Sequence, residues 1–374
     1  MLSAKNPKDE PMKIKQLIVT STLTALSSTA IAAPFAVFDA RSAGMGGTGV
    51  ASAHISSAPF YNPAMLAAQR EEEDFALLLG GGVSAQDNNK LLDDIEAYND
   101  AVDIGNTTAY EAAIDSAVGK KLTVQANTFL ALGFAGDTWS MAASGNGYVQ
   151  ASVGTTKAGA QGINSTVDFT GVEVTETGFS LARKFGNLSI GLTPKVQSVT
   201  SYDATALLSN NDDLGDIIDT ATTNGKDHGT TTNLDVGLVY KLTENWKIGG
   251  VLRNALSEDY TTQASNKITL DPQTRAGIAY TGDTITFAVD YDIAKNDPVI
   301  AGGEETQYLN AGVELDLADF FQLRAGMSTN TANSAAEEIY SVGVGFTIVA
   351  VQLDIAAVGN DNSVSAFVQV GARW

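Results

Sequence analysis

The sequence predicts an all-β fold, a transmembrane antiparallel β-barrel of about 14 strands with short loop helices. Three observations predict this fold. The last eleven residues alternate between apolar and small or polar side chains, segments with the same period recur along the chain in an even number, and short connections take turns with long ones. A barrel that crosses a membrane has short turns on one side and longer loops on the other, whereas a β-sandwich shows no such regular alternation of connection lengths.

Composition narrows the classes of function. The chain has 374 residues without a linker-like stretch, which favours a single unit. Its formal net charge of −21 predicts that nucleic acid is not a partner, because little here could neutralise a run of phosphates. The absence of cysteine removes disulfides and thiolate chemistry. With 36 glycines and 17% charged residues, the composition fits neither a disordered chain nor a helical membrane protein.

Residues 1–32 are expected to be a signal peptide, with Met12 as an alternative true start. Lys13 and Lys15 precede the apolar stretch Leu17 to Ile31, and Ala30-Ile31-Ala32 gives the small-residue cleavage pattern. An uncleaved anchor is the less favoured alternative, because the stretch falls short of the ~18 apolar residues of a spanning helix. The mature chain would start at Ala33 and keep 18 basic and 41 acidic residues.

Residues 33–73 are rich in small residues and lack strand alternation. Gly44, Gly46 and Gly49 formally satisfy the G-x-G-x-x-G pattern, but no βαβ unit surrounds them, so a dinucleotide site is not expected. A glycine backbone without side-chain bulk instead indicates a segment that fits closely against another part of the protein.

The barrel is expected over 74–374. Alternation is clean in most segments and fails around Val172 to Gly178, where the sequence predicts a bulge or an extension beyond the membrane. The predicted strands cover 74–83, 122–136, 138–153, 167–185, 188–203, 231–242, 246–256, 274–281, 284–292, 306–317, 321–328, 338–347, 351–359 and 363–374.

The final strand, Val364 to Trp374, is similar to the last strand of bacterial outer-membrane barrels, which ends on an aromatic residue read by the β-barrel assembly machinery. Trp374 is therefore the expected assembly signal. Phe367 is the one large apolar residue on its polar face. Two aromatic girdles are also predicted, one beside the short connections and a second near the long loops that comprises Tyr148, Tyr202, Tyr291, Tyr308 and Tyr340.

Charged residues on the opposite face of the strands are expected to line the lumen, because a charge facing lipid at mid-membrane costs about 2–4 kcal/mol. They would form a polar pathway for solute, docking points for the glycine-rich segment, or a mixed-sign network that keeps the interior hydrated. The set comprises Asp235, Arg253, Asp290, Glu314, Arg324, Asp354 and Arg373, with Lys241, Lys247, Asp292 and Asp316.

No catalytic residue, cofactor site or metal site is predicted, and the chain is not expected to be an enzyme. Its two histidines, His54 and His228, fall in the glycine-rich segment and a long loop. A serine or threonine nucleophile would therefore have few candidate general bases. The aspartates of 212–219 lack the spacing of a calcium loop. They are expected on one of two loop helices, the other being near 91–102.

Two stretches carry a family resemblance. Ala43 to Ala51, followed by Tyr61-Asn62-Pro63-Ala64, resembles the N-terminal segment of the FadL superfamily of outer-membrane hydrophobe transporters. In that family the segment is a plug inside the barrel, which implies plug roles for Gly44, Gly46, Gly47, Gly49, Asn62 and Pro63. The stretches Leu181 to Lys195, Asp271 to Tyr280 and Gln322 to Gly326 are similar to the branch labelled conjugal transfer protein TraF.

The resemblance implies a location in the outer membrane of a Gram-negative bacterium, with membrane lipid and a hydrophobic small molecule as partners. It implies passive uptake of such molecules. The alternative is a non-transporting component of a conjugation or secretion assembly. An apolar path through the lumen would favour uptake, whereas a sealed lumen with a large exposed apolar loop patch would favour scaffolding.

Overall fold

Fourteen antiparallel strands close into one barrel in this computed structural model. The structure describes residues 39–374 apart from 69–73, 88–89, 157–165, 208–222, 224–225, 262–266, 298–304 and 318–319. The predicted signal peptide and the predicted helix at 212–219 lie outside the described residues. The wall strands are β1 (Phe75–Gln86), β2 (Lys121–Phe134), β3 (Trp139–Thr156), β4 (Thr166–Phe185), β5 (Leu188–Leu207), β6 (Lys226–Lys241), β7 (Trp246–Arg253), β10 (Gln273–Thr281), β11 (Ile285–Asp292), β12 (Tyr308–Leu317), β13 (Phe321–Asn330), β14 (Ile339–Ile348), β15 (Val351–Gly359) and β16 (Ser363–Arg373).

The first and last strands close the wall. They pair from Ala76 opposite Arg373 to Gln86 opposite Ser363. Beyond this ladder, the backbone N–H of Trp374 donates to Phe75 O at 2.9 Å, and the N–H of Phe75 donates back to Trp374 O at 3.1 Å. The sheet therefore has no free edge, as a bilayer requires.

One side of the barrel is taller than the other. Strands β2 to β6 have 14 to 20 residues, whereas the remaining wall strands have 8 to 12. Around Val172 to Gly178 the register of β4 with β3 runs without interruption, so the strand is extended and has no bulge there. The long loop after β7 also contains an unpredicted hairpin, β8 (Glu258–Thr261) with β9 (Lys267–Leu270).

Apolar side chains cover the outside of the wall. Aromatic residues gather at the end with the short turns, where Phe75 stacks on Trp374 at 5.1 Å and Phe321 on Phe346 at 5.2 Å between ring centroids. The second girdle was predicted wrongly in part. Tyr148 is only 5% exposed and faces the interior, and Tyr308 shares the inward face of Asn310.

Two helices, α3 (Leu91–Asp103) and α4 (Thr107–Ala117), fill the loop between β1 and β2. Leu91 and Ala117 bury Leu122 of β2. Successive residues of a strand point to opposite faces, and Leu122 is an odd number of residues from the inward-facing Phe129. Leu122 therefore points outward, and this helix pair packs on the outer face of the wall.

No helix among the described residues combines the length and hydropathy needed to cross a bilayer.

Candidate functional site in the barrel lumen

The chain preceding β1 runs through the interior of the barrel. We call Asp39–Ala68 the lumen segment; all its residues are buried except His54, which is half-buried. It contains two short helices, α1 (Ala40–Gly44) and α2 (Ala58–Tyr61), and a 3-10 turn, Pro63–Ala67. Its wall partners described below lie within about five residues of the short-turn end of their strands. A strand rises ~3.3 Å per residue, so these partners lie in the half of the lumen next to the short turns, which we call the lower half.

Helix α1 seats the beginning of the segment against β15 and β16. The Asp39 carboxylate caps the helix by accepting from Ser42 N at 2.9 Å, and Ala40 N donates to the Gln369 side chain at 2.8 Å. Ala40 and Ala43 pack with Ala356, Val358 and Phe367. This contact explains why Phe367 points inward: it covers the small residues of α1, and the missing side chain of Gly82 leaves room for its ring.

A buried ion network joins the segment to the wall. The Arg41 guanidinium donates to both carboxylate oxygens of Glu314, at 2.9 and 2.7 Å. Arg324 donates to Glu314 and to Asp354, at 2.6 Å in each case. Glu314 thus receives two guanidinium groups, and three of the predicted lumen residues meet around one residue of the segment.

Arg41 was not among the predicted site residues. Its signal was available, because it is the only lysine or arginine between positions 33 and 68. A cation in a stretch of alanine, glycine and serine requires an anionic partner once it is buried. Its third guanidinium nitrogen, Nη1, donates to Ser52 O at 2.8 Å, which also fixes the fold of the segment.

Asp290 and Asn62 hold the middle of the segment through its backbone. The N–H groups of Gly49 and Val50 donate to Asp290 Oδ2, at 2.7 and 3.0 Å. The Asn62 amide donates to Val50 O at 2.9 Å and to Leu238 O of the wall at 3.1 Å. Its side-chain oxygen accepts from Ala64 N and so starts the turn at Pro63.

Glycines on the wall allow the backbone of the segment to touch the strands. A Cβ added at Gly326 would lie closer than 3.0 Å to the backbone of Met45 and Gly46, and one added at Gly191 would meet Pro63 and Ala64 equally closely. Gly46 has φ +69° and lies against the carbonyls of Ala311 and Met327. Other wall glycines that face the segment are Gly237, Gly249, Gly312 and Gly343. The segment's glycines, Gly44, Gly46, Gly47 and Gly49, were predicted to lie in the site, whereas their counterparts on the wall were not.

His54 and Arg373 form a separate contact near the short-turn end. Arg373 Nη1 lies 3.0 Å from His54 Nδ1, and its Nη2 donates to Gln352 at 2.9 Å. Burial, with Arg41 and Arg373 nearby, holds the pKa of His54 well below its usual range. The neutral imidazole can then accept the Arg373 hydrogen bond.

Asp235 and Arg253 belong to another network, six to nine residues above the short-turn end. Lys195 Nζ lies 3.2 Å from Glu176 and 3.0 Å from Asp235, and Arg253 lies 3.5 Å from Glu176. These side chains all belong to strands β4 to β7, so the network links strands within the wall.

The lumen has an apolar side as well. Phe129, Val172, Val174 and Val199 point inward from β2, β4 and β5 and are almost fully buried, together with Tyr148. We call these five residues the apolar inner face. Phe60 of the segment packs on Phe129 with 5.6 Å between ring centroids, and Leu66 joins the same cluster. The Tyr148 hydroxyl has no hydrogen-bond partner among the described residues.

No group of histidine, aspartate or glutamate side chains in the described residues is arranged to hold a metal ion.

A family model described as "F plasmid transfer operon, TraF, protein" matches residues 59–292, more than half of the chain. None of the curated proteins matches. Among solved structures, the Ralstonia pickettii toluene transporter TbuX superposes with a TM-score of 0.59 at 16% identity, covering 90% of this chain and 98% of that one. A Pseudomonas aeruginosa FadL homologue gives a TM-score of 0.55 at 14% identity, covering 93% and 99%. The TodX deltaS2S3 mutant monoaromatic hydrocarbon channel gives 0.57 at 13% identity, covering 90% and 99%. At these identities the likeness to solved structures concerns the fold.

Proposed function

From the premise that this chain belongs to the family described as F plasmid transfer operon TraF protein and has the fold of FadL-type barrels, we propose that it carries hydrophobic small molecules passively across the outer membrane. The mature protein would lie in the outer membrane of a Gram-negative bacterium after removal of residues 1–32. The proposed role is transport, without catalysis, which accords with structural neighbours that are transporters and channels.

The observation that carries this proposal is the apolar inner face. A pore for ions or sugars keeps a polar lining, because polar solutes and water must remain hydrated there. Here valines and two aromatic rings project inward over successive positions of the tall strands. An apolar solute gains free energy by leaving water for such a surface, at about 25 cal/mol per Å².

Structural neighbours suggest the size of the solute. TbuX is named a toluene transporter and TodX a monoaromatic hydrocarbon channel. By analogy of fold, we propose apolar molecules from a single aromatic ring upward as the candidate class. Mass spectrometry of small molecules that co-purify with the barrel would identify the solute without prior choice.

Uptake of a radiolabelled monoaromatic hydrocarbon by cells that express the protein tests the proposal. We expect Val172→Asn, on the apolar inner face, to lower the uptake rate several-fold. The control is Thr175→Asn, because Thr175 lies on the outer side of the same strand and is exposed. Uptake by the wild type that equals uptake without the protein would refute transport of this class.

The lumen segment is proposed to act as a plug, with Gly44, Gly46, Gly47 and Gly49 providing close backbone contact and Asn62 and Pro63 forming its final turn. Its ion network, its backbone hydrogen bonds to Asp290 and the wall glycines all support this role. Passage would then require part of the segment to move.

The same close fit favours the second candidate function, a non-transporting component of a conjugation or secretion assembly. A lumen held shut by buried ion pairs serves a scaffold without any need for movement. Loss of conjugation or secretion in a deletion strain whose hydrocarbon uptake is normal would favour this alternative over transport.

A further inference from the structure

Two two-residue turns at the short-turn end both begin with a residue of positive φ, but one turn is polar and the other is apolar. Gly186-Asn187 joins β4 to β5, and Val349-Ala350 joins β14 to β15. The first residue of each is left-handed, with φ +62° at Gly186 and +57° at Val349. Glycine adopts this conformation freely, whereas a β-branched residue is strained there. Valine at position 349 is therefore less favourable for the stability of this turn than glycine would be.

Val349 is also 99% exposed, and the preceding Ile348 is 74% exposed. The chain from Phe346 to Leu353 carries no charged residue. Other short turns expose acidic side chains instead, at Asp137, Glu244 and Asp283. This turn is strained, apolar and fully exposed. We therefore expect a partner to cover it and exclude water from its side chains.

Further apolar residues continue this surface along the rim. Thr347 N donates to Phe320 O at 2.9 Å, which places the 61% exposed Phe320 beside the Val349 turn. On the other side, Val351 pairs with Ala372 next to the exposed Trp374. We call Phe320, Ile348, Val349, Val351 and Trp374 the apolar rim.

The apolar rim is continuous with the lipid-facing band of the wall. Phe321 and Phe346 lie directly above it, and Trp374 stacks on Phe75 of the girdle. Leu353 and Ile355 extend the outward apolar series of β15 from Val351. The nearest apolar medium is therefore the bilayer that already covers this band.

We propose that the apolar rim is immersed in the periplasmic leaflet, so that the barrel sits tilted with the β12–β16 side deeper than the β4–β10 side. The polar turns at Gly186-Asn187 and Thr243–Asn245 remain in water. This inference rests on the proposed location in the outer membrane, and its occupant is lipid.

Because the chain has no cysteine, single cysteines can carry an environment-sensitive NBD fluorophore. The test pair is Ile348→Cys on the rim and Asn187→Cys at the matched polar turn, with Phe320→Cys as a second rim site and Val342→Cys as a marker of the lipid-facing band. Each variant is first checked for folding by its heat-dependent gel migration. The labelled proteins are placed in phosphatidylethanolamine–phosphatidylglycerol vesicles with iodide on both sides, or with lipids that carry a doxyl quencher near the head group.

We expect the lipid quencher to act several-fold more strongly at positions 348 and 320 than at 187, and iodide to act several-fold less. Equal iodide quenching at the rim and at 187, with Val342→Cys still quenched by lipid, would overturn the inference and leave the membrane location intact. Protection from both quenchers at the rim would also overturn it, since a protein or a second copy would then cover the surface. Loss of lipid quenching at Val342→Cys would refute the membrane location and, with it, the proposed function.

Discussion

Glu314 is the side chain on which the charges of the lower lumen converge. It bonds Arg41 of the lumen segment and Arg324 of the wall, and Arg324 alone has a second carboxylate, Asp354. Removing Glu314 and removing Arg41 therefore have unequal consequences. Loss of Glu314 removes the ion-pair partner of Arg41, whereas loss of Arg41 leaves Glu314 paired with Arg324 and Arg324 paired with Asp354.

We predict that Glu314→Gln lowers the free energy of unfolding by about 3–5 kcal/mol, the usual cost of leaving a buried charge without its partner. Arg41→Gln should cost clearly less, because Glu314 keeps Arg324. Urea titration of both variants in detergent, followed by tryptophan fluorescence, compares them. Equal losses would contradict this ranking, because the remaining pair with Arg324 would then not stabilise Glu314 when Arg41 is removed.

Gly326 provides a second prediction at the residue scale. In Gly326→Ala, the new Cβ would meet backbone atoms of Met45 and Gly46, which can yield only if the segment shifts. We expect higher single-channel conductance in planar bilayers. Gly250→Ala is the matched control, because a Cβ at Gly250 has no atom within 4 Å and the residue faces outward. A control that raises conductance as much as Gly326→Ala would contradict the steric explanation.

At the scale of elements, the lumen segment and the wall depend on each other unequally. The wall keeps its complete ladder of strand pairs without the segment, and Glu314, Arg324 and Asp354 still pair among themselves. The segment, in contrast, draws nearly all its burial from the wall.

Deleting Ser42 to Met65 is therefore expected to leave a folded barrel with higher conductance and faster entry of bulky antibiotics. Valine at Gly46 and Gly47 should give a weaker version of the same effect, since Gly46 already touches two wall carbonyls. Planar-bilayer recordings and antibiotic susceptibility measure the two effects. A deletion that folds normally but conducts like the wild type would show that the segment does not obstruct the lumen.

The last strand carries another prediction. Trp374 closes the seam with β1 through its backbone and stacks on Phe75. We propose that the β-barrel assembly machinery reads it, so its deletion should reduce the amount of protein in the outer membrane and increase periplasmic degradation. Trp374→Phe, which keeps an aromatic ring, is the control. Normal outer-membrane levels after deletion would count against an assembly signal.

All fourteen wall strands could be predicted because alternation against lipid is a local pattern. Prediction weakened where that pattern ends. β6 begins at Lys226, before the expected 231, because residues 226–230 carry no large apolar side chain on either face of the strand, and β5 continues to Leu207, beyond the expected 203. Tyr148 was misplaced for a different reason. Its distance from a long loop shows how far along the strand it lies, but only the alternation of residues along the strand shows whether it points inward or outward. The carboxylate that pairs with Arg41, Glu314, lies 273 residues away, a separation that no local pattern records.

At the scale of the whole molecule, closure of the sheet determines how the protein should respond to detergent. Every wall strand is paired on both sides, so cold detergent finds no edge from which to separate the strands. We expect unboiled and boiled samples to migrate differently on gels, and the protein to be recovered with membranes. Identical migration together with recovery in the soluble periplasmic fraction would refute the membrane barrel.

The lumen segment precedes β1 in the chain, yet its Arg41 is held by β12 and its Ala40 by β16. The segment, which is synthesised before the wall strands, is thus enclosed by a wall that β16 completes. Once β16 has joined β1, the folded segment has only the two open ends of the barrel as routes inside. A segment that occupies the lumen before β16 joins β1 avoids passage through either end, so this topology favours entry of the segment before the barrel closes.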